Sequence, residues 1–184
     1  MRRLPPLAML IAAGCASAGP PADVGGVSDR IVMGDQFSVV HGTTDKGGRS
    51  VTIPVPPRKL QRAIADTYKA LDLDLNTVDL DNGVFGATEV VKKRLLGGAA
   101  ISTYLNCGSS FSGPRANEDR ITITILTTVR ADDKGGSIVV TNIQNAQAQD
   151  ISGGNSRDPV QCGSIGTLEG RINNAIAAAT IAKP

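Results

Sequence analysis

"RITITILTTV" runs from Arg120 to Val129, "ADDKGG" follows, and "SIVVTNIQNAQAQ" runs from Ser137 to Gln149. In the first segment Ile121, Ile123, Ile125, Thr127 and Val129 line one face, and Thr122, Thr124 and Thr128 give the other a polar cast. A period of two with β-branched residues is the pattern of a strand buried on one side. The Gly-rich turn then predicts an antiparallel return strand. Neither face of that return strand is consistently apolar, so the pattern leaves its register open.

Working outward, "RIVMGDQFSVV" (Arg30 to Val40) predicts one strand, "HGTTDKGG" (His41 to Gly48) a turn, and "RSVTIPV" a second strand with Val51, Ile53 and Val55 inward. Pro56 and Pro57 suit the first turn of a helix, where a missing N–H costs nothing. Leu60, Ile64, Thr67 or Tyr68, and Leu71 recur at helical spacing, so the helix ends near Leu71. Leu73 to Leu80 predicts a strand, Asp81-Asn82-Gly83 a turn, and "VFGATEVVKK" the hairpin partner. Leu95 to Pro114 is broken by Gly97-Gly98, and "AISTYL" fits a short helix or a strand. A last helix starts near Ser164, its expected N-cap, with Ile165, Leu168, Ile172, Ile176 and Ala179 on one side. The expectation is an α+β fold: an antiparallel sheet with two main helices on one face.

The chain opens "MRRLPPLAMLIAAGCASAGPP". Arg2 and Arg3 precede the apolar run Leu4 to Ala13, and small residues lead to Cys15, the order of a secretory signal. An apolar run of about ten residues is half of what a membrane-spanning helix needs. The stretch Ile11-Ala12-Ala13-Gly14-Cys15 resembles the lipobox of bacterial lipoproteins, departing from it at Ala12, where leucine is usual. The resemblance implies that residues 1–14 are removed and that Cys15 carries the lipid. Ala16 follows it, where lipoproteins kept in the inner membrane often have aspartate, which implies an outer-membrane destination. Residues 15–27, small and rich in proline and glycine, read as a tether reaching about 40 Å at ~3.3–3.6 Å per residue. Residues 28–184 are then a single domain.

Removing Arg2 and Arg3 leaves 17 basic side chains against 17 acidic ones, and "KKR" at Lys92 to Arg94 is the densest basic cluster. The basic footprint of a nucleic-acid binder is missing. With no tryptophan and only Phe37, Phe85, Phe111, Tyr68 and Tyr104, the core is expected to be aliphatic, and a stacking pocket for sugars or bases is hard to line.

Export bears on the cysteines. With Cys15 committed to lipid, Cys107 and Cys162 are left to pair outside the cytoplasm. They lie about a dozen residues outside the two ends of the long hairpin, and those ends share one edge. A disulfide joining them is expected, with Gly108 and Gly163 giving the backbone room.

Other chemistries find little support. His41, the single histidine, is all that a Cys-His or Ser-His-Asp arrangement has to draw on, and "CGSIG" lacks the first glycine of a nucleophile elbow. One histidine and two distant cysteines do not make a zinc site. Asp72, Asp74 and Asn76 copy the first three ligands of an EF-hand loop, but Thr77 stands at the glycine position and Gly83 at the bidentate glutamate, so a solvated strand edge is expected. "GGRS" at Gly47 and "GGNSRD" at Gly153 lack the Walker lysine and read as turns. No pair of carboxylates is singled out for hydrolysis. No cofactor, metal or catalytic residue is expected.

The order strand, helix, antiparallel strands, C-terminal helix is similar in outline to the helix-grip domains of the outer-membrane barrel-assembly lipoprotein C, over Arg49 to Ala182. That resemblance lies in element order and transfers no site. The expected function is a non-enzymatic accessory or interaction module of the cell envelope, held to the membrane through Cys15, with a protein partner and no nucleic acid. The alternatives are a small-ligand-binding envelope domain and, after it, a hydrolase.

Overall fold

The computed structural model describes residues 30–33, 37–43, 48–151 and 158–181, residues 30–43 by backbone alone. The expected signal, Cys15 and the tether lie outside the described residues.

The long hairpin is the spine. Strand β9 (Arg120–Ala131) pairs along its whole length with β10 (Ser137–Gln149). On the other flank of β9 lies β5 (Val84–Lys93), edged by the short β4 (Thr77–Asp79). The outer flank of β10 carries β3 (Arg49–Ile53), followed by β2 (Phe37–Thr43) and β1 (Arg30–Met33). The order β1-β2-β3-β10-β9-β5-β4 is antiparallel throughout.

β9 keeps its alternation without interruption, and Ile121, Ile123, Ile125, Thr127 and Val129 all point inward. Both neighbours are bulged at one level of it. Thr88 and Glu89 together oppose Thr124 on one side, and Gln144 is the extra residue on the other. Each bulge inverts the inward set: β10 buries Ser137, Val139 and Thr141 before it, and Ala146 and Ala148 after it. Paired bulges at one level bend the sheet around the helices.

Helix α1 (Gln61–Ala70) follows a single 3₁₀ turn at Pro57–Lys59, and α3 (Thr167–Ile181) closes the described chain. Both pack on the face carrying the β9 isoleucines. Ile64, Tyr68, Ile172 and Ile176 are fully buried there, and the two helices touch each other. The α+β fold, antiparallel with both main helices on one face, is as the pattern predicts.

Four local expectations are corrected. Arg30 to Val40 is a hairpin rather than one strand, with Met33 opposite Phe37. The turn expected at His41 to Gly48 does not start there, because β2 runs on to Thr43 and His41 pairs with Val51. Only Thr77–Asp79 of the expected Leu73 to Leu80 strand is extended. Leu73 instead closes the end of α1, its N–H bonding Tyr68 O at 2.9 Å while Asp72 takes φ 57°. The last helix starts at Thr167, because Ser164 is paired as a strand and Gly166 turns the chain at φ 78°. Ile165 is therefore outside the helix and exposed, and Ala179, expected on the buried side, is exposed as well.

Candidate functional site

Between β5 and β9 the chain forms β6 (Leu95–Leu96), β7 (Ala99–Ala100), a 3₁₀ turn at Ile101–Thr103, β8 (Leu105–Asn106) and α2 (Arg115–Glu118). "AISTYL" is therefore both alternatives in succession, a helical turn and then a strand. After β10, β11 (Val160–Gln161) pairs with Gln147 and Ala148, and β12 (Gly163–Ser164) pairs with β8.

The Cys107–Cys162 disulfide sits in that last ladder. Gly163 opposes Asn106 and Ser164 opposes Leu105, so the two cysteines are the next facing pair. Ile165 N–H bonds Tyr104 O, which makes 107/162 a non-hydrogen-bonded position, where facing residues stand closest. Their Cα atoms are 4.2 Å apart. Both cysteines are buried, and Cys162 N–H is bonded to Ala146 O of β10. The bond ties a two-residue ladder to the main sheet.

A polar chain crosses the core from α1 to α3. Tyr68 Oη lies 2.9 Å from Thr127 Oγ1, which is 2.8 Å from Thr141 Oγ1. Thr141 donates to Asn173 Oδ1 at 2.6 Å, and Asn173 Nδ2 donates to Arg49 O at 2.8 Å. All four side chains are buried. Burial pushes the Tyr68 hydroxyl up to about 12, against the smaller opposing pull of the Thr127 hydrogen bond. The chain joins both helices to both central strands, and every polar atom in it has a partner.

Glu169 is buried in the first turn of α3. Ser164 Oγ accepts from Gly166 N–H and donates to Glu169 Oε1 at 2.5 Å, so the serine expected as the N-cap works from outside the helix. Oε2 has no hydrogen-bond partner among the described residues. The positive end of the helix favours a negative charge at this place.

The acidic stretch does not converge. Asp72 is ion-paired to Lys92 at 2.7 Å. The Asn76 carboxamide accepts from Thr88 N–H and donates to Thr88 O, standing in for a backbone partner at the β5 bulge. Asp79 accepts from the Asn82 side chain and from the amides of Asn82 and Asp81, bonds that hold its carboxyl below the usual range. Among the described residues no group of three or more His, Cys, Asp or Glu is placed to hold a metal ion. His41 stands opposite Val51, on the β3 side of the sheet. No described helix is long and apolar enough to cross a membrane.

A polar cavity of about 300 Å³ opens at the loop that follows Cys107, lined by Ser109, Ser110, Phe111, Ser112, Arg115, Glu118, Asp119 and Asp150. Arg115 Nε donates to Asp119 Oδ2 at 2.8 Å, and both side chains are largely buried. Phe111 is fully exposed, whereas Tyr68, Phe85 and Tyr104 are buried. Of these residues only Phe111 stands out in the sequence, as one of five aromatic side chains. The available signals were an Arg-Asp pair at i,i+4 after Pro114 and an aromatic ring alone among serines and glycines.

No protein-family model matches this chain, and a search of curated proteins finds no match.

Proposed function

We propose that this chain is a lipid-anchored cell-envelope protein, held to the outer membrane through Cys15 and acting as a non-enzymatic accessory or interaction module. The observation that carries the reading is the buried Cys107–Cys162 disulfide. Such bonds persist in oxidising compartments, and this one leaves Cys15 as the odd cysteine, behind the small residues that resemble a lipobox. Several acyl chains on one residue make a durable anchor at about 0.8 kcal/mol per buried methylene. For an interaction module, the supporting feature is the sheet face opposite the helices. Leu126, Ile138 and Val140 are half-buried on it and Val91 is exposed, spread over three adjoining strands with Asn142, Arg130, Thr128 and Thr122 as their facing partners. The helix-bearing face is instead filled by its own core.

The test is metabolic labelling with palmitate, followed by membrane fractionation. The wild-type chain takes up label and sediments with membranes, and Cys15→Ser does neither. An unlabelled wild-type chain would end this reading. The second reading, a small-ligand-binding envelope domain, is favoured by the cavity at the Ser109–Ser112 loop.

A further inference from the structure

The rim of that cavity is built more firmly than a surface loop requires. Cys107 is tied to Cys162, and Gly108 N–H bonds Asn106 Oδ1. Arg115 N–H bonds Gly108 O, Ser109 bridges to Pro114, and Ser110 N–H bonds Gly113 O. This frame holds the Phe111 ring at its tip, in water. A lone exposed apolar side chain is ordinary. Here it stands on a fixed loop at the lip of a cavity whose other lining groups are polar.

The wall offers both hydrogen-bonding senses. The Arg115 guanidinium has Nε engaged by Asp119, and its two Nη nitrogens carry no hydrogen bond to a described residue. Arg115 and Ser109 supply donors, while Glu118 and Ser109 supply acceptors. Arg115 is already paired to Asp119, so the Glu118 carboxylate gives this wall an acidic balance, which repels phosphorylated or sulfated ligands. The volume is at the small end for ligand sites.

We infer that this cavity is a binding site for a short neutral saccharide. One sugar ring lies with its C–H face on Phe111, and its hydroxyls are shared between the Arg115 Nη groups, Glu118 and Ser109. A flat ring edged by hydroxyls matches an aromatic platform beside alternating donors and acceptors. The inference stands on the cavity and is independent of the lipid anchor, since a failure of sugar binding leaves membrane fractionation unchanged.

The test is a heteronuclear NMR titration of the ¹⁵N-labelled full chain with maltotetraose and with tetra-N-acetylchitotetraose. Saturable shifts of the Ser109–Arg115 amides are expected with at least one sugar. Phe111→Ala, at an exposed site that leaves the fold intact, should weaken binding by about tenfold. Arg115→Lys keeps a cation for Asp119 but loses the forked donors, and it should weaken binding similarly. No shift at about 10 mM of either sugar would overturn the inference, as would binding indifferent to Phe111→Ala. A response to spermidine alone, abolished by salt, would show a cation site and overturn it too.

Discussion

Thr141 gives its only hydroxyl proton to Asn173 Oδ1, an atom that can only accept. Asn173 is oriented by its own donation to Arg49 O, so the direction of that bond is set. Thr127 must then donate to Thr141, and Tyr68 to Thr127. One buried carboxamide on α3 thereby orders hydroxyls on two strands and on α1.

That direction ranks the variants. Thr141→Val removes the central link, leaving Asn173 Oδ1 and the Thr127 proton buried without partners, and should destabilise by about 2–3 kcal/mol. Tyr68→Phe removes only the first donor and leaves one unfilled lone pair on Thr127, for about 1 kcal/mol. Urea unfolding of the two variants checks the order, and equal losses would mean the chain is not directed as described. Thr127→Val combined with Thr141→Val should lose less than the sum of the single changes.

Alkaline pH reads the same tyrosine. Its folded pKa of about 12 lies above the ordinary value of 10, so the folded state keeps a proton that the unfolded chain releases. The contribution is whole below pH 10 and is lost as pH rises through about 12. Between those limits wild-type stability should fall by about 2–3 kcal/mol more than that of Tyr68→Phe. Parallel stability–pH curves for the two proteins would contradict the burial of an ionisable hydroxyl at this position.

β9 could be read from sequence because nothing interrupts its period, and even Thr127, polar among isoleucines, fell in the inward row where it is found. β10 could not, because the extra residue Gln144 moves the inward set from odd to even positions midway. No single face of the strand is apolar throughout. The bulge at Thr88 and Glu89 does the same to β5. The cysteine pair was accessible from the hairpin's geometry, although the local ladder that presents it is only two residues long. The cavity was not accessible. It joins residues 109–119 to Asp150 across the sheet edge, and neither segment carries a period that announces the other.

The disulfide should matter both globally and locally. It closes a loop of sequence separation 55, which in the chain-entropy model stabilises by roughly 4 kcal/mol, or about 10 °C in melting temperature. Replacing Cys107 and Cys162 together with alanine should lower the melting temperature by that order. Without the bond the β8–β12 ladder holds only two facing pairs, so Ile165 N–H, bonded to Tyr104 O, should exchange faster than amides of β9. Unchanged protection at Ile165 would show that the ladder stands without its covalent link.

Three backbone positions with positive φ separate conformational strain from steric contact. At Gly83, φ is 63° and an added Cβ would lie 2.3 Å from Val129 O. That carbonyl cannot swing away freely, because the same residue's N–H is bonded across to Gly83 O at 2.8 Å, holding β9 against the entry to β5. Gly83→Ala should therefore combine left-handed strain with a backbone clash and destabilise by about 3 kcal/mol. Gly98 has φ 78° with open space where a Cβ would go, so Gly98→Ala carries the strain alone, about 1 kcal/mol. Glu89 already bears that strain at φ 54°, with an exposed side chain and its amide donating to Thr124 Oγ1. Glu89→Gly relieves it and keeps the amide bond, and after the entropy of the unfolded glycine is subtracted it should stabilise by about 0.5–1 kcal/mol. Thermal unfolding followed by circular dichroism should order the melting temperatures Glu89→Gly, wild type, Gly98→Ala, Gly83→Ala. A Gly83→Ala protein no less stable than Gly98→Ala would mean that the β5 entry turn can shift away from Val129 at little cost.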